Sequence, residues 1–287
     1  MRATSAFDKM KYLNLGCGSR FHPEWENVDF YATGPNVRVH DLRERTPYAD
    51  GTFDVVYHSH VLEHFPREAA LLFLRECYRL LKPGGIIRVA VPDLERIART
   101  YLEALEKAAA GAPGWSENHE WMVMEMYDQT IREQSRGALV GYFDRDPIPN
   151  WDFVLERWGT YANGLLQLMR EDAKKEASVG PENRIAWRYV LINPFGVLRS
   201  KLLRALLKQE DWEALKVGRF RRAGEIHMWM YDFYSLGKAL QRAGFRDPRP
   251  VGPSESSIPA WSDYYLDIDP DGRVYKADSL YMEAVKP

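Results

Sequence analysis

The sequence predicts an α/β fold, a parallel sheet wound with helices and interrupted by a large helical insertion. Short β-branched and aromatic runs alternate with one clear amphipathic helix over the first hundred residues. From about residue 95 to 225 helix formers take over, and beyond 226 a helix and two strand-like runs resume the first pattern. The expected organisation is a unit made of residues 1–94 and 226–287, with residues 95–225 inserted as a mainly helical cap.

Lys11 to Leu15 reads as a strand that runs into Gly16-Cys17-Gly18. Asn27–Asp29 and Val37–Asp41 are two more short strands, each closing on an aspartate, and Phe53–His58 is a fourth. Pro66 suits a first helical position, and Leu71, Leu74, Tyr78 and Leu81 recur as one apolar face. Lys82-Pro83-Gly84-Gly85 stops that helix, and Ile86–Val91 is apolar enough for a strand covered on both faces. Tyr234–Ala243 reads as a helix ended by Gly244, followed by strands near Arg246–Val251 and Leu280–Val285.

In the insertion, Pro147, Pro149, Pro181 and Pro194 separate several helices. Trp115, Trp121, Trp151, Trp158, Trp187 and Trp212 lie here, offering either flat faces to a sugar or glue between helices. The basic amphipathic stretch Val197–Lys208 allows peripheral contact with an anionic membrane, or packs as a helix with a solvated face.

The 287 residues suffice for a large core, and 45% hydrophobic with 28% charged residues excludes wholesale disorder. Thirty-nine basic against forty-one acidic side chains leave a net charge of -2, without the basic excess of a phosphate-driven nucleic-acid binder. Two cysteines, Cys17 and Cys77, exclude a disulfide scaffold or a four-cysteine zinc site within one chain. With no apolar run of membrane-spanning length and no signal-like opening, a cytoplasmic protein is expected.

Ligands of open α/β sheets sit at the carboxyl ends of the strands. Gly16 and Gly18 lie at such an end, where glycine turns sharply and lets a ligand approach. Ser19 and Arg20 follow where a dinucleotide fingerprint would continue, and no Gly-Lys-Ser/Thr is present, which points away from a pyrophosphate ligand. Asp29 offers an acceptor-only carboxylate suited to both hydroxyls of a ribose. Asp41 can accept from an adenine amine while Leu42 packs on the ring. Either aspartate alone could be a turn or cap residue, but both follow the glycine turn at successive strand ends.

Tyr12-Leu-Asn-Leu-Gly-Cys-Gly18, Phe53-Asp-Val-Val-Tyr57, His60-Val-Leu-Glu-His64 and Arg79-Leu-Leu-Lys-Pro-Gly-Gly85 together resemble the class I S-adenosylmethionine-dependent methyltransferases of the type 11 group. The resemblance covers residues 11–93 and 230–287 and implies a Rossmann-like sheet with S-adenosyl-L-methionine as cofactor and S-adenosyl-L-homocysteine as product. It implies that Leu15, Gly16, Cys17 and Gly18 cradle the methionine part, with Asp29 on the ribose, Asp41 and Leu42 on the adenine, and the backbone around His58 at the methionine end. Asn14 stands where many members are acidic, and ten residues between Gly18 and Asp29 leave room for only a very short first helix. Arg20 is a candidate partner for the cofactor carboxylate. Trp25-x-Asn-Val-Asp29 resembles members associated with bacterial polysaccharide and glycoconjugate assembly.

Methyl transfer to a hydroxyl needs alignment, exclusion of water and usually a base. His60 and His64, four apart at the end of the fourth strand, are candidates, with Glu63 beside them. His227, in Glu225-Ile-His-Met-Trp-Met-Tyr-Asp232, and Asp128, at helical spacing from Trp121 and Arg132, are candidates for the acceptor pocket. The alternatives are a helix-start histidine, an aromatic lid and a surface Asp128–Arg132 pair. His-x3-His is also a ligand spacing, but without a carboxylate triad no metal is expected. The expected reaction is O-methylation of a sugar hydroxyl in a glycan or glycoconjugate. The alternatives are a small natural product or lipid acceptor, or a non-catalytic cofactor-binding scaffold. No nucleic-acid partner is expected, and a cap of this size can carry a homo-oligomer contact.

Overall fold

The computed structural model describes residues 10–178, 199 and 202–287. Among them seven strands form one sheet, in the order β3-β2-β1-β4-β5-β7-β6. These are β1 (Tyr12–Leu15), β2 (Glu26–Asp29), β3 (Val37–Val39), β4 (Phe53–Ser59), β5 (Leu81–Pro92), β6 (Arg246–Val251) and β7 (Ser279–Val285). The first five run parallel, whereas β7 lies antiparallel between β5 and β6. All seven predicted strands are present. The boundaries differ most at β5, which already begins at Leu81, paired with Phe53.

Alternation along the strands divides the sheet into two faces. Leu13, Leu15, Val56, Ile87 and Val89 point to one face, covered by α1 (Arg67–Leu80) and by the helix Phe233–Ala243. The predicted stripe on α1 is rotated: the buried positions are Ala70, Phe73, Leu74, Cys77 and Leu80, while Leu71 and Tyr78 pack at the margin. Alanine and cysteine complete the true stripe, and their small side chains were invisible to a count of large apolar residues. Tyr12, Val55, Tyr57 and Ile86 point to the other face. No helix forms in residues 16–25, 30–36 or 40–52, so even the very short first helix expected from the sequence is replaced by turns. The loop after β6 covers this face instead, through Ile258, Trp261, Tyr264 and Leu266 packed with Trp25. Tyr12 stacks on Trp25 at 4.9 Å, and Trp261 meets Trp25 edge-on at 6.1 Å.

Arg88 of β5 fastens that loop. Its side chain is fully buried, and all five N–H groups find acceptors. Nε donates to Asp267 Oδ2 at 2.8 Å, and Nη1 donates to Glu283 Oε1 and the Glu255 carbonyl, both at 2.9 Å. Nη2 donates to the carbonyls of Gly252 (3.0 Å) and Pro253 (3.1 Å), and the guanidinium lies 4.4 Å from the Trp261 ring centre. Tyr57 donates to the other oxygen of Asp267.

Asp93 caps α2 (Leu94–Ala109), accepting from the backbone N–H of Glu95 and Arg96. The chain then builds α3 (Trp115–Ile131), α4 (Gly137–Tyr142), α5 (Trp151–Trp158), α6 (Thr160–Ser178) and α7 (Gln209–Arg221), and α8 (Phe233–Ala243) follows on the sheet. Asp93 and Tyr231 form a bridge, so the chain leaves the sheet and returns to it at one point. Ile97, Trp121, Met122, Leu139, Val154 and Trp158 make a second core among these helices. Inside it, Glu125 accepts from Trp121 Nε1 at 2.9 Å and from Arg157 Nη2 at 2.5 Å. Trp187 lies outside the described residues, as does part of the basic stretch 197–208, where the described Leu202 and Leu206 are exposed. Among the described residues no helix is long and apolar enough to cross a membrane.

Two stability predictions follow from these networks. Arg88→Met leaves two buried carboxylates without their cation and should cost about 3–5 kcal/mol in urea-denaturation free energy. A loss below about 1 kcal/mol would mean that the network is not a fastener. Glu76 accepts from the backbone N–H and hydroxyl of Thr46 and from Arg79. Burial raises its carboxyl pKa, but the Arg79 and Thr46 hydrogen bonds outweigh burial and hold it down, at about 2. The folded pKa lies below the unfolded value, so this stability is present above about pH 4.5 and is lost as pH falls towards 2. Glu76→Gln should flatten the fall of melting temperature across that window, and an unchanged profile would contradict the assignment.

Candidate functional site

β1 ends in the glycine turn. Gly16 adopts φ +67°, and a Cβ there would collide with Val61 Cγ2, so conformation and packing both demand glycine. Gly18, at φ +54°, would direct a Cβ into open space with no atom within 4 Å, so nothing of the described residues blocks a ligand from approaching its backbone. Asp29 ties the end of β2 to this turn: one oxygen accepts from Gly18 N at 2.8 Å, the other from Tyr31 N at 3.2 Å. Each oxygen keeps a further lone pair for a ligand hydroxyl. Asp41 follows β3, with Leu42 packed on the margin of the sheet core. Arg43 donates to both Asp41 oxygens, at 2.6–3.1 Å, and these hydrogen bonds hold the carboxyl below its ordinary range. Open space beside the turn, a ribose-type acceptor and a half-buried carboxylate past the next strand fit a nucleoside cofactor without requiring a phosphate cradle.

Three neighbouring candidates play other parts. Cys17 is buried, which pushes its thiol up to about 11 and makes it a lining atom, not a nucleophile. His58 has no exposed surface, packs against Phe73 and is pushed by burial down to about 3. Its side chain is core, while its backbone lies in register with Leu15. Arg20 does not stand free for a cofactor carboxylate. It donates to the Ile268 carbonyl at 2.6 Å and to Asp269 at 2.8 Å, with its guanidinium 4.1 Å from the Tyr275 ring centre.

Immediately beyond β4, His60 adopts φ +54°, an unusual conformation for a residue with a side chain. Val61 presses on Gly16, and the short helix Leu62–His64 follows. His60, His64 and His227 converge here on one cavity of about 510 Å³, further lined by Gln129, Arg132, Trp158, Tyr161, Lys276 and Asp278. His60 Nε2 lies 2.8 Å from Ser279 Oγ, and its Nδ1 lies 3.4 Å from Glu63 Oε1. His64 Nδ1 donates to the Ile226 carbonyl at 3.0 Å, and its ring meets that of His227 edge-on at 4.9 Å. Burial holds all three imidazoles neutral: His64 falls to about 4, His60 and His227 well below the usual range. The same desolvation pushes Glu63 up to about 8 and Asp278 to about 6.

The structure separates Asp128 from this cluster. Its carboxylate turns towards α4, accepts from Ala138 N and closes over Gly137. Nor does it pair with Arg132, which donates to Gln129 and to the Glu225 carbonyl. Trp121 is fully buried glue between Trp158, Tyr142 and Phe143, whereas Trp158 reaches the cavity. Sequence reasoning missed Lys276, Asp278 and Ser279. The available signal was strand direction: an antiparallel β7 begins at the edge where its parallel neighbours end, so the residues before it arrive at the site.

Residues 13–89 match the family described as methyltransferase domain. A ubiquinone biosynthesis O-methyltransferase of Parvibaculum lavamentivorans is 29% identical over 143 residues, covering 42% of this chain. The chain thus spans about half, 54%, of that relative's length. A complex between the Haloferax volcanii Trm112 methyltransferase activator and a methyltransferase aligns over 97% of this chain and 83% of that chain, with 13% identity and a TM-score of 0.39. An S-adenosylmethionine-dependent methyltransferase of Thermotoga maritima aligns over 98% and 84%, with 13% identity and a TM-score of 0.35. The stretch that carries the glycine turn and the strand-end carboxylates matches a methyltransferase domain, whose cofactor is S-adenosyl-L-methionine.

Proposed function

We propose that the protein is an S-adenosyl-L-methionine-dependent O-methyltransferase acting on a sugar hydroxyl of a glycan or glycoconjugate. The observation that carries this reading is the adjacency of two sites along three residues. Val61 touches Gly16 of the cofactor turn, and its neighbour His60 lines the 510 Å³ cavity. Leu15 to Gly18 and Asp29 would hold the cofactor, with Asp41 and Leu42 at its adenine end. When bound, S-adenosyl-L-methionine supplies a methyl group on a positively charged sulfur. The chain itself seats the acceptor, excludes water and takes a proton.

His60 is the proton acceptor in this reading. Its imidazole is neutral, oriented by Ser279, and carried on a backbone held in an uncommon conformation. A sugar suits the cavity because Trp158 and Tyr161 offer flat faces, while Gln129, Arg132 and Asp278 surround them with hydrogen-bonding groups. Oxygen as the methylated atom is supported by the O-methyltransferase relative.

Calorimetric titration with S-adenosyl-L-homocysteine should give micromolar binding at about one per chain, and Asp29→Ala should weaken it about 10- to 100-fold by removing charge-assisted hydrogen bonds. A well-folded protein that does not bind would overturn the cofactor assignment. Transfer of labelled methyl to a panel of glycosides, nucleotide sugars and phenols tests the acceptor. With an accepted sugar, His60→Ala should lower turnover about 10²–10⁴-fold while leaving homocysteine-product affinity unchanged. Methylation of phenols alone would replace the sugar, and full activity in His60→Ala would remove the base.

A further inference from the structure

We propose that Glu63, His64 and His227 form a binding site for a first-row divalent cation such as Zn²⁺, opening onto the acceptor cavity. One ligand atom from each of the three lies within 4.8 Å of the others. Two imidazoles and a carboxylate are a donor set that zinc and its neighbours favour over magnesium or calcium.

The strongest pointer is Glu63. Its side chain has no exposed surface, and neither carboxylate oxygen has a hydrogen-bond partner among the described residues. Burying such a group unpaired is costly, so its surroundings should offer compensation. What lies nearest is imidazole nitrogen, His227 Nε2 at 3.9 Å and His60 Nδ1 at 3.4 Å, with the Lys276 ammonium close enough to attract the carboxylate. The His227 separation is too long for a shared proton to make a good hydrogen bond. It is close to what a metal requires, because two ligands bonded at about 2.1 Å in tetrahedral geometry stand roughly 3.4 Å apart. Closing the widest pair to that value takes side-chain rotations of roughly 1.4 Å.

The supporting contacts resemble those that orient metal-binding histidines. His64 Nδ1 donates to the Ile226 carbonyl, which fixes its ring and tautomer and leaves the other nitrogen with a lone pair. The Glu63 carbonyl accepts from Met228 N at 2.7 Å and Trp229 N at 3.2 Å, and His227 N donates to the Gln129 carbonyl at 2.8 Å. The backbones carrying the three ligands are therefore tied together before any ion arrives. Lys276 and Arg132 face the same space and oppose a cation, while Asp278 favours it. Once Glu63 gives up its proton to bind, it and two neutral imidazoles carry one negative charge, and Asp278 lines the same cavity.

Three protein ligands leave positions open towards the cavity, where vicinal hydroxyls of the acceptor could bind and be oriented for His60. That role rests on the methyl-transfer reading; the cation site itself does not. The test uses the whole chain, freed of metal with a chelator and titrated with Zn²⁺ by calorimetry, and with Co²⁺ by visible absorption. S-Adenosyl-L-homocysteine affinity is measured on every sample as a control for folding and for the cofactor assignment. The expected result is one ion per chain, a Co²⁺ spectrum of four or five coordination, and at least about 100-fold weaker binding in both His227→Gln and Glu63→Gln. Failure to bind an ion in protein that binds the homocysteine product overturns the cation site alone. Equal affinity in wild type and both variants overturns it too. Ion binding without product binding keeps the cation site and removes the methyl-transfer reading.

Discussion

Everything on one face of the sheet depends on the burial of a single guanidinium. Arg88 has no water to solvate it, and its charge is tolerable only because two carboxylates and three carbonyls meet its five N–H groups. Those carbonyls belong to the loop after β6, so satisfying the charge and ordering the loop are one event. The ordered loop then supplies Trp261 and Tyr264 to the face where helices are missing. It also fixes Asp267, whose backbone carbonyl accepts from Tyr275 N at 2.9 Å. From Tyr275 the constraint forks, to Arg20 behind the glycine turn and to Tyr161 N at the start of α6. The cofactor turn and the cavity wall thus share an anchor that touches neither.

The site itself is an edge effect. Parallel strands end at one rim of the sheet, and β4 delivers His60, Val61 and Glu63 there in succession. The antiparallel β7 starts at that rim and contributes Ser279, with Lys276 and Asp278 just before it. The inserted helices complete the enclosure through Gln129, Arg132, Trp158 and Tyr161. Desolvation here sets the protonation states: imidazoles stay neutral and carboxyls hold their protons more tightly than in water.

The strands and the glycine turn were legible because their signals are local. Leu-x-Leu-Gly-Cys-Gly and the aspartates at strand ends can be read within a few residues. The convergence of His60, His64 and His227 was only partly legible. The first two lie in one short motif, but the third arrives through the Ile226–His64 contact, which no local pattern encodes. Asp128 misled for the opposite reason. Its spacing from Trp121 and Arg132 suggested a place in the acceptor pocket, yet Gly137 leaves room for its carboxylate to cap the next helix. Arg20 likewise sits at the right distance from Gly18 for a cofactor contact, but Asp269 lies 249 positions along the chain and captures it. Long-range pairings of this kind decide a polar side chain's task and leave no trace in its neighbours.

The sequence separation between Arg88 and Asp267 also governs how the molecule assembles during synthesis. The partner carboxylate lies 179 positions downstream, and Glu283 lies 195. At translation speeds of about 5–20 residues per second, β5 would wait roughly 9–36 s for its first counter-charge. Throughout that interval its charged face and the aromatic face of β1 and β4 have no cover. A nascent chain of this design has to be shielded by other means, so chaperone engagement should peak after β5 emerges from the ribosome and fall once β7 has been made.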